Sequence, residues 1–160
     1  MTPNVLLRDV IEADLPIFYE HQLDPVATTM AGFPSRNRDT FMAHWAKIMA
    51  NASGLLKTIV CDGQVAGNIV SFDVSGEREV GYWLGQDYWG KGIATQALTM
   101  FLEHEITRPL YAHVVKHNAG SVRVLQKCGF RLVGEAVEEF TLKLNAVKIV
   151  LDVTPAHHDT

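Results

Sequence analysis

The chain has 160 residues, 48% of them hydrophobic and 20% charged, with a formal net charge of −4 and a pI near 5.9. That is enough chain for one folded domain with a sizeable core, and it lacks the basic surplus or stripe that nucleic-acid binding needs. Two cysteines with no CxxC spacing, Cys61 and Cys128, argue against a cysteine-based metal or redox centre and read as buried thiols of a reducing cytosol.

The N-terminal stretch MTPNVLLRDVIEADL carries charges inside its apolar run, and no apolar run reaches bilayer length. A cytoplasmic protein with no membrane association is the expectation. A strand is predicted over 5–10. Leu15, Phe18 and Tyr19 then share one helical face within 12–22, which requires Pro16 to sit in the first turn. Residues 24–36 hold Pro25, Gly32 and Pro34 and read as a short helix and a loop. Phe41, Met42, Trp45, Ile48 and Met49 form a helical stripe over 37–50.

From residue 55 the period shortens. Runs at 55–61 and 64–74 flank the Asp62-Gly63 turn signal and predict a hairpin, with a third strand at 77–85. A helix over 92–106, a strand over 110–116 and a helix over 119–129 follow. Strands are predicted at 130–140 and 147–153, and 154–160 reads as a loose tail after one domain spanning 1–153. The order predicts an α+β fold with a mostly antiparallel sheet of six or seven strands and helices on both faces. The passage from 77 to 116 is predicted as a right-handed crossover between parallel strands.

Chemistry concentrates at YWGKGIATQAL, residues 88–98. Glycines 90 and 92 just before a helix invite an anion, because the helix start offers unpaired N–H groups and the positive dipole end. A Walker A loop is not completed: Gly92 stands where Ser or Thr must hold magnesium. The dinucleotide fingerprint fails at Thr95 and lacks the ribose-binding acid further on.

The turn resembles the pyrophosphate motif Gln/Arg-x-x-Gly-x-Gly/Ala of the GCN5-related N-acetyltransferases. Trp89-Gly90-Lys91-Gly92-Ile93-Ala94 matches the glycine and the alanine and departs at Trp89. With that tryptophan, GYWLGQDYWGKGIATQA is similar to the branch of ribosomal-protein N-terminal acetyltransferases of RimJ/RimL type. HNAGSVRVLQKCGF at 117–130 resembles the family's Asn-x-x-Ser…Lys-x-Gly-Phe segment.

The resemblance implies a GNAT fold, acetyl-CoA as cosubstrate, no metal, and an amine acceptor, either a protein N-terminal α-amine or a small-molecule amine. It implies direct transfer in a ternary complex, and a monomer or homodimer. Backbone N–H groups from Gly90 through Lys91, Gly92, Ile93 and Ala94 to Thr95 would hold the pyrophosphate, with charge from Lys91. Pantetheine would pair with the strand end at Trp83 and Leu84, with Asn118 opposite. Glu79 matches the position of the usual base, with Glu138 and Glu139 as fallbacks, and an N–H near Leu84 would meet the oxyanion. The usual acid is a tyrosine seven residues after the asparagine; here that position is Leu125, which leaves Ser121 as the substitute. Met30, Phe33 and Arg36 are expected to shape the acceptor pocket. His113 and His117 read as packing or surface histidines sharing a strand face. The alternative from another class is a non-catalytic acyl-CoA-binding sensor, which the missing tyrosine favours.

Overall fold

The computed structural model describes residues 3–32 and 34–145. Strand β1 (Val5–Asp9) leads through a short turn into helices α1 (Leu15–Leu23), α2 (Pro25–Ala31) and α3 (Arg38–Ala50). Strands β2 (Leu55–Cys61), β3 (Gln64–Val74) and β4 (Glu77–Leu84) follow, then α4 (Ile93–Phe101), β5 (Leu110–Val115), α5 (Ala119–Lys127), β6 (Arg131–Glu135) and β7 (Glu139–Leu144). Pro16 falls in the first turn of α1, where its missing N–H costs nothing.

One seven-stranded sheet runs in the order β1-β2-β3-β4-β5-β7-β6. All neighbours are antiparallel except β4 and β5. The β2–β3 turn closes at Asp62 and Gly63, both at positive φ (50° and 83°), as the Asp-Gly signal requires.

Helices cover both faces. Ile69 and Val70 are neighbours on β3 and so point to opposite faces. Ile69 is fully buried in a cluster with Ile93, Leu98 and Phe101 of α4 and Leu125 of α5. Val70 packs against a second cluster made by Leu15, Phe18, Phe41 and Trp45 of α1 and α3. Among the described residues, no helix is long and apolar enough to cross a membrane.

Three expectations are corrected. Helix α4 ends at Phe101, short of residue 106, because the chain folds back to bring Glu105 inside. Its carboxylate accepts from the Ser71 hydroxyl, from Arg78 Nε at 2.7 Å and from the Thr107 N–H at 3.1 Å. The predicted strand over 130–140 is two strands, β6 and β7, reversing at 136–138 where Ala136 N–H donates to the Glu139 carbonyl at 2.8 Å. β7 inserts between β5 and β6. Cys61 is buried as expected, but Cys128 is only half-buried. The predicted strand 147–153 and the tail 154–160 lie outside the described residues.

Candidate active site

The parallel pair β4–β5 holds register at two rungs, Arg78↔Leu110 and Glu79↔Tyr111. Past Glu79 the paired register ends, and a cleft of about 610 Å³ opens between the strand ends. Tyr82, Trp83 and Leu84 line one wall; His117, Asn118 and Ser121 line the other, and Met30 and Ala31 of α2 also face it. α2 approaches β5 closely because Gly32, at φ 87°, ends the helix with no Cβ, which would lie 2.5 Å from Val115 Cγ1. His117 Nε2 reaches the Thr29 carbonyl at 2.7 Å, joining α2 to the β5–α5 turn.

The turn before α4 lies at the cleft. Gly90 and Gly92 have φ 74° and 78°, a region that side chains with a Cβ resist. A Cβ on either would meet nothing within 4 Å, so open space lies in front of the turn. Gly92 caps the nine-residue α4, leaving its first N–H groups without intrahelical partners. Trp89, the departure from the motif, donates Nε1–H to the Leu84 carbonyl at 3.0 Å and ties the turn to the end of β4.

Gly67, which the sequence did not mark, sets how β3 carries this end of β4. Its Cβ would sit 2.0 Å from the Trp83 carbonyl oxygen, so only glycine lets the two backbones come this close. β3 also bulges beside it, between the rungs Ile59↔Gly67 and Val60↔Val65, and the Ala66 carbonyl accepts from the Gly85 N–H at 2.9 Å.

Most of the expected residues gather at this cleft. Trp83, Leu84, Trp89, Gly90, Gly92, Ile93, Ala94, Thr95, Asn118 and Ser121 line it; Lys91 is exposed and does not. Asn118 caps α5, its Oδ1 accepting from the Ser121 N–H at 3.2 Å, which leaves the NH₂ group for a ligand carbonyl. Arg36 is exposed and away from the cleft, its backbone paired with the Gln22 side chain, and Phe33 lies outside the described residues.

Glu79 is not among the residues lining the cleft: it stands on the last paired rung of β4 and β5, with Oε2 3.2 Å from His113 Nε2. His113 Nδ1 lies 3.6 Å from Glu139 and 3.2 Å from Thr141 Oγ1. His113 therefore belongs with carboxylates rather than with His117. Glu77, Glu79 and His113 bring donor atoms within 4.8 Å of one another, a set able to attract an ammonium or a divalent ion. Glu138 is exposed, its carbonyl accepting from the Lys116 N–H at 2.9 Å.

Among the lining residues missed from sequence are Tyr82, Tyr88, Arg123 and Lys127. The helical spacing of Arg123 and Lys127 could have put both cations on one face of α5. Tyr82 donates its hydroxyl to Ser121 Oγ at 2.9 Å, a contact across the sheet–helix gap that no local pattern reports.

A family model described as an acetyltransferase (GNAT) domain matches residues 4–131. The chain is 27% identical over 161 residues to a spermidine N(1)-acetyltransferase of Escherichia coli K12, covering 92% of this chain and 86% of that protein. Among solved structures it resembles a spermidine N-acetyltransferase of Vibrio cholerae in complex with CoA and spermine. That match has a TM-score of 0.72 and 15% identity, covering 87% of this chain and 92% of the other. It also resembles Mycobacterium smegmatis RimJ in complex with CoA-disulfide, with a TM-score of 0.72 and 23% identity, covering 91% and 90%.

Proposed function

The chain belongs to the GNAT acetyltransferase family and is an acetyl-CoA-dependent N-acetyltransferase, and from that premise we propose that its acceptor is a primary amine on a small polycation. The observation that carries this is the carboxylate group beside the point where β4 and β5 part: Glu77, Glu79 and Glu139 around His113. Carboxylates of this density suit a ligand with several ammonium groups, and steer it toward the site. The spermidine acetyltransferases among its relatives support the same class.

N–H groups from Gly90 to Thr95 hold the pyrophosphate at the start of α4. Lys91 on the turn and Arg123 and Lys127 on α5 add positive charge. Trp83 and Leu84 pair with pantetheine as a strand edge does, and Asn118 donates from the other wall. An amine of lysine-like pKa, about 10.4, arrives protonated at neutral pH. Glu79 takes that proton directly or through water, so the neutral nitrogen attacks the thioester carbonyl. The new C–N bond leaves a tetrahedral oxyanion, met by the N–H near Leu84. As the C–S bond breaks, the electron pair goes to sulfur, to which Ser121 donates a hydrogen bond, and the nitrogen gives its second proton to solvent to leave the neutral amide.

The RimJ/RimL-like motif GYWLGQDYWGKGIATQA favours a second reading, a protein N-terminal α-amine. A competition decides between them. The enzyme is given acetyl-CoA with equal spermidine and a short peptide bearing a free N-terminus, and the products are weighed by mass spectrometry. Acetylspermidine is the expected product; acetylation of the peptide alone would overturn the polycation reading.

A further inference from the structure

We propose that Tyr82 is the positioning residue for the leaving thiolate: its phenol donates to Ser121 Oγ and thereby turns the Ser121 hydrogen into the cleft, toward sulfur. The inference rests on the reading that this cleft takes acetyl-CoA, and it concerns a residue outside the set of roles given above.

Three observations meet at this pair. The Tyr82 hydroxyl lies 2.9 Å from Ser121 Oγ, and both residues line the cleft. Ser121 is fixed from its other side, since its N–H donates to Asn118 Oδ1 at 3.2 Å. Leu125, at the family's usual acid position, is 2% exposed inside the core and carries no proton to give. The cleft thus has a proton donor from β4 where relatives place one on the helix.

A serine alone is a poor director of its own hydrogen, because its hydroxyl rotates to suit any neighbour. A phenol donating to Ser121 Oγ at 2.9 Å leaves the serine hydrogen to point elsewhere. Burial drives the Tyr82 phenol above its ordinary range, outweighing the Ser121 contact that favours ionisation; the nearby Cys128 acts in the same direction as burial. The phenol therefore stays protonated across the working pH range. Ser121 Oγ then accepts from Tyr82 and gives its own hydrogen to the sulfur. In the transfer step the C–N bond forms, the C–S bond breaks and the electron pair settles on sulfur. The thiolate is stabilised by the Ser121 O–H, and coenzyme A leaves as the thiol with a proton returned from solvent.

The test needs no acceptor. Coenzyme A is bound to wild type, Tyr82→Phe, Ser121→Ala and the double variant, and its thiolate is titrated by ultraviolet absorbance. The donor pair should make the bound thiol ionise at lower pH than in solution. Each single variant should cut its acid dissociation constant about tenfold, as one hydrogen bond to an ionised group is worth. The double variant should match Ser121→Ala alone, because the two hydroxyls act in series. Tyr82→Phe keeps the ring, so its melting temperature should hold. A wild-type bound thiol that titrates like the solution thiol overturns the proposal. So does Tyr82→Phe titrating like wild type. Failure of wild type to bind coenzyme A at all would instead overturn the underlying cofactor reading.

Discussion

Glu79 Oε2 lies 3.2 Å from His113 Nε2, at the last rung where β4 and β5 still pair. One strand beyond, Glu139 approaches the other nitrogen of the same ring. This places a carboxylate at the point where the sheet splits, backed by a histidine that a second carboxylate orients. Glu79→Gln keeps the shape and removes the proton acceptor. The expected outcome is a fall in kcat on the order of 10²- to 10⁴-fold with spermidine as acceptor, with acetyl-CoA affinity unchanged. Steady-state kinetics paired with calorimetric titration separates the two. Full turnover at every pH would move the base to another group, with Glu139→Gln the next variant to assay.

Gly92 sits at φ 78° directly before α4. Gly92→Asp forces a side chain into a conformation L residues resist and puts a negative charge on the anion site. Acetyl-CoA binding should disappear while the fold survives, since a Cβ there meets nothing. A ligand that binds only the folded state raises the melting temperature, so the wild type should shift with acetyl-CoA and the variant should not. An equal shift in both would remove the turn from the binding site.

At Gly67 a Cβ would lie 2.0 Å from the Trp83 carbonyl oxygen, and the obstacle is backbone that cannot swing aside. Gly67→Ala should therefore push β3 away from β4, costing about 1–3 kcal/mol as overpacking does. Because Trp83 lines the cleft, the KM for acetyl-CoA should rise along with the loss of stability. Denaturant melts and kinetics on one preparation check both; stability and KM at wild-type values would show that the sheet absorbs the methyl group.

Glu105 is 3% exposed and pairs with Arg78. Burial alone would raise its carboxyl, but Ser71, Arg78 and the Thr107 N–H hold it below its ordinary 4.5. The folded carboxyl is therefore the stronger acid. Its contribution is complete above pH 4.5 and is lost as pH falls through the depressed folded value. Asp14, held below 3.8 against burial by Arg8, Thr58 and the Ile11 N–H, acts in the same direction further down. Glu105→Gln should destabilise the protein by about 3 kcal/mol at neutral pH, by removing the buried counter-charge of Arg78 and leaving it only the exposed Asp73 at 3.4 Å. The acid loss below pH 4.5 should also become shallower. Urea melts across pH measure both; parallel stability curves for the two proteins would contradict this assignment.

Much of this was legible in the sequence where a signal is local. The Asp62-Gly63 hairpin, the helix over 37–50 and the glycines before α4 each depend on neighbours a few residues away, and all fell where expected. The chain's reversal at 136–138 was not legible, because AVEE carries no glycine, proline or asparagine to mark a turn and the alternation of FRLVGEAVEEF runs through it. The end of α4 was missed for a different reason. Residues 102–106 are acceptable helix formers, and only the distant Ser71 and Arg78 draw Glu105 inward. Tyr82 was missed likewise: its partner Ser121 is 39 residues away, on another element.

The most direct measurement follows both products of one reaction, coenzyme A thiol and acetylated amine, with spermidine present and absent. Direct transfer predicts that the two appear in equal amounts, that neither appears without spermidine, and that the rate depends on both substrates as a ternary complex requires. Acetyl-CoA that binds and stabilises the protein while no amine, spermidine or peptide, becomes acetylated would contradict the catalytic reading of the cleft.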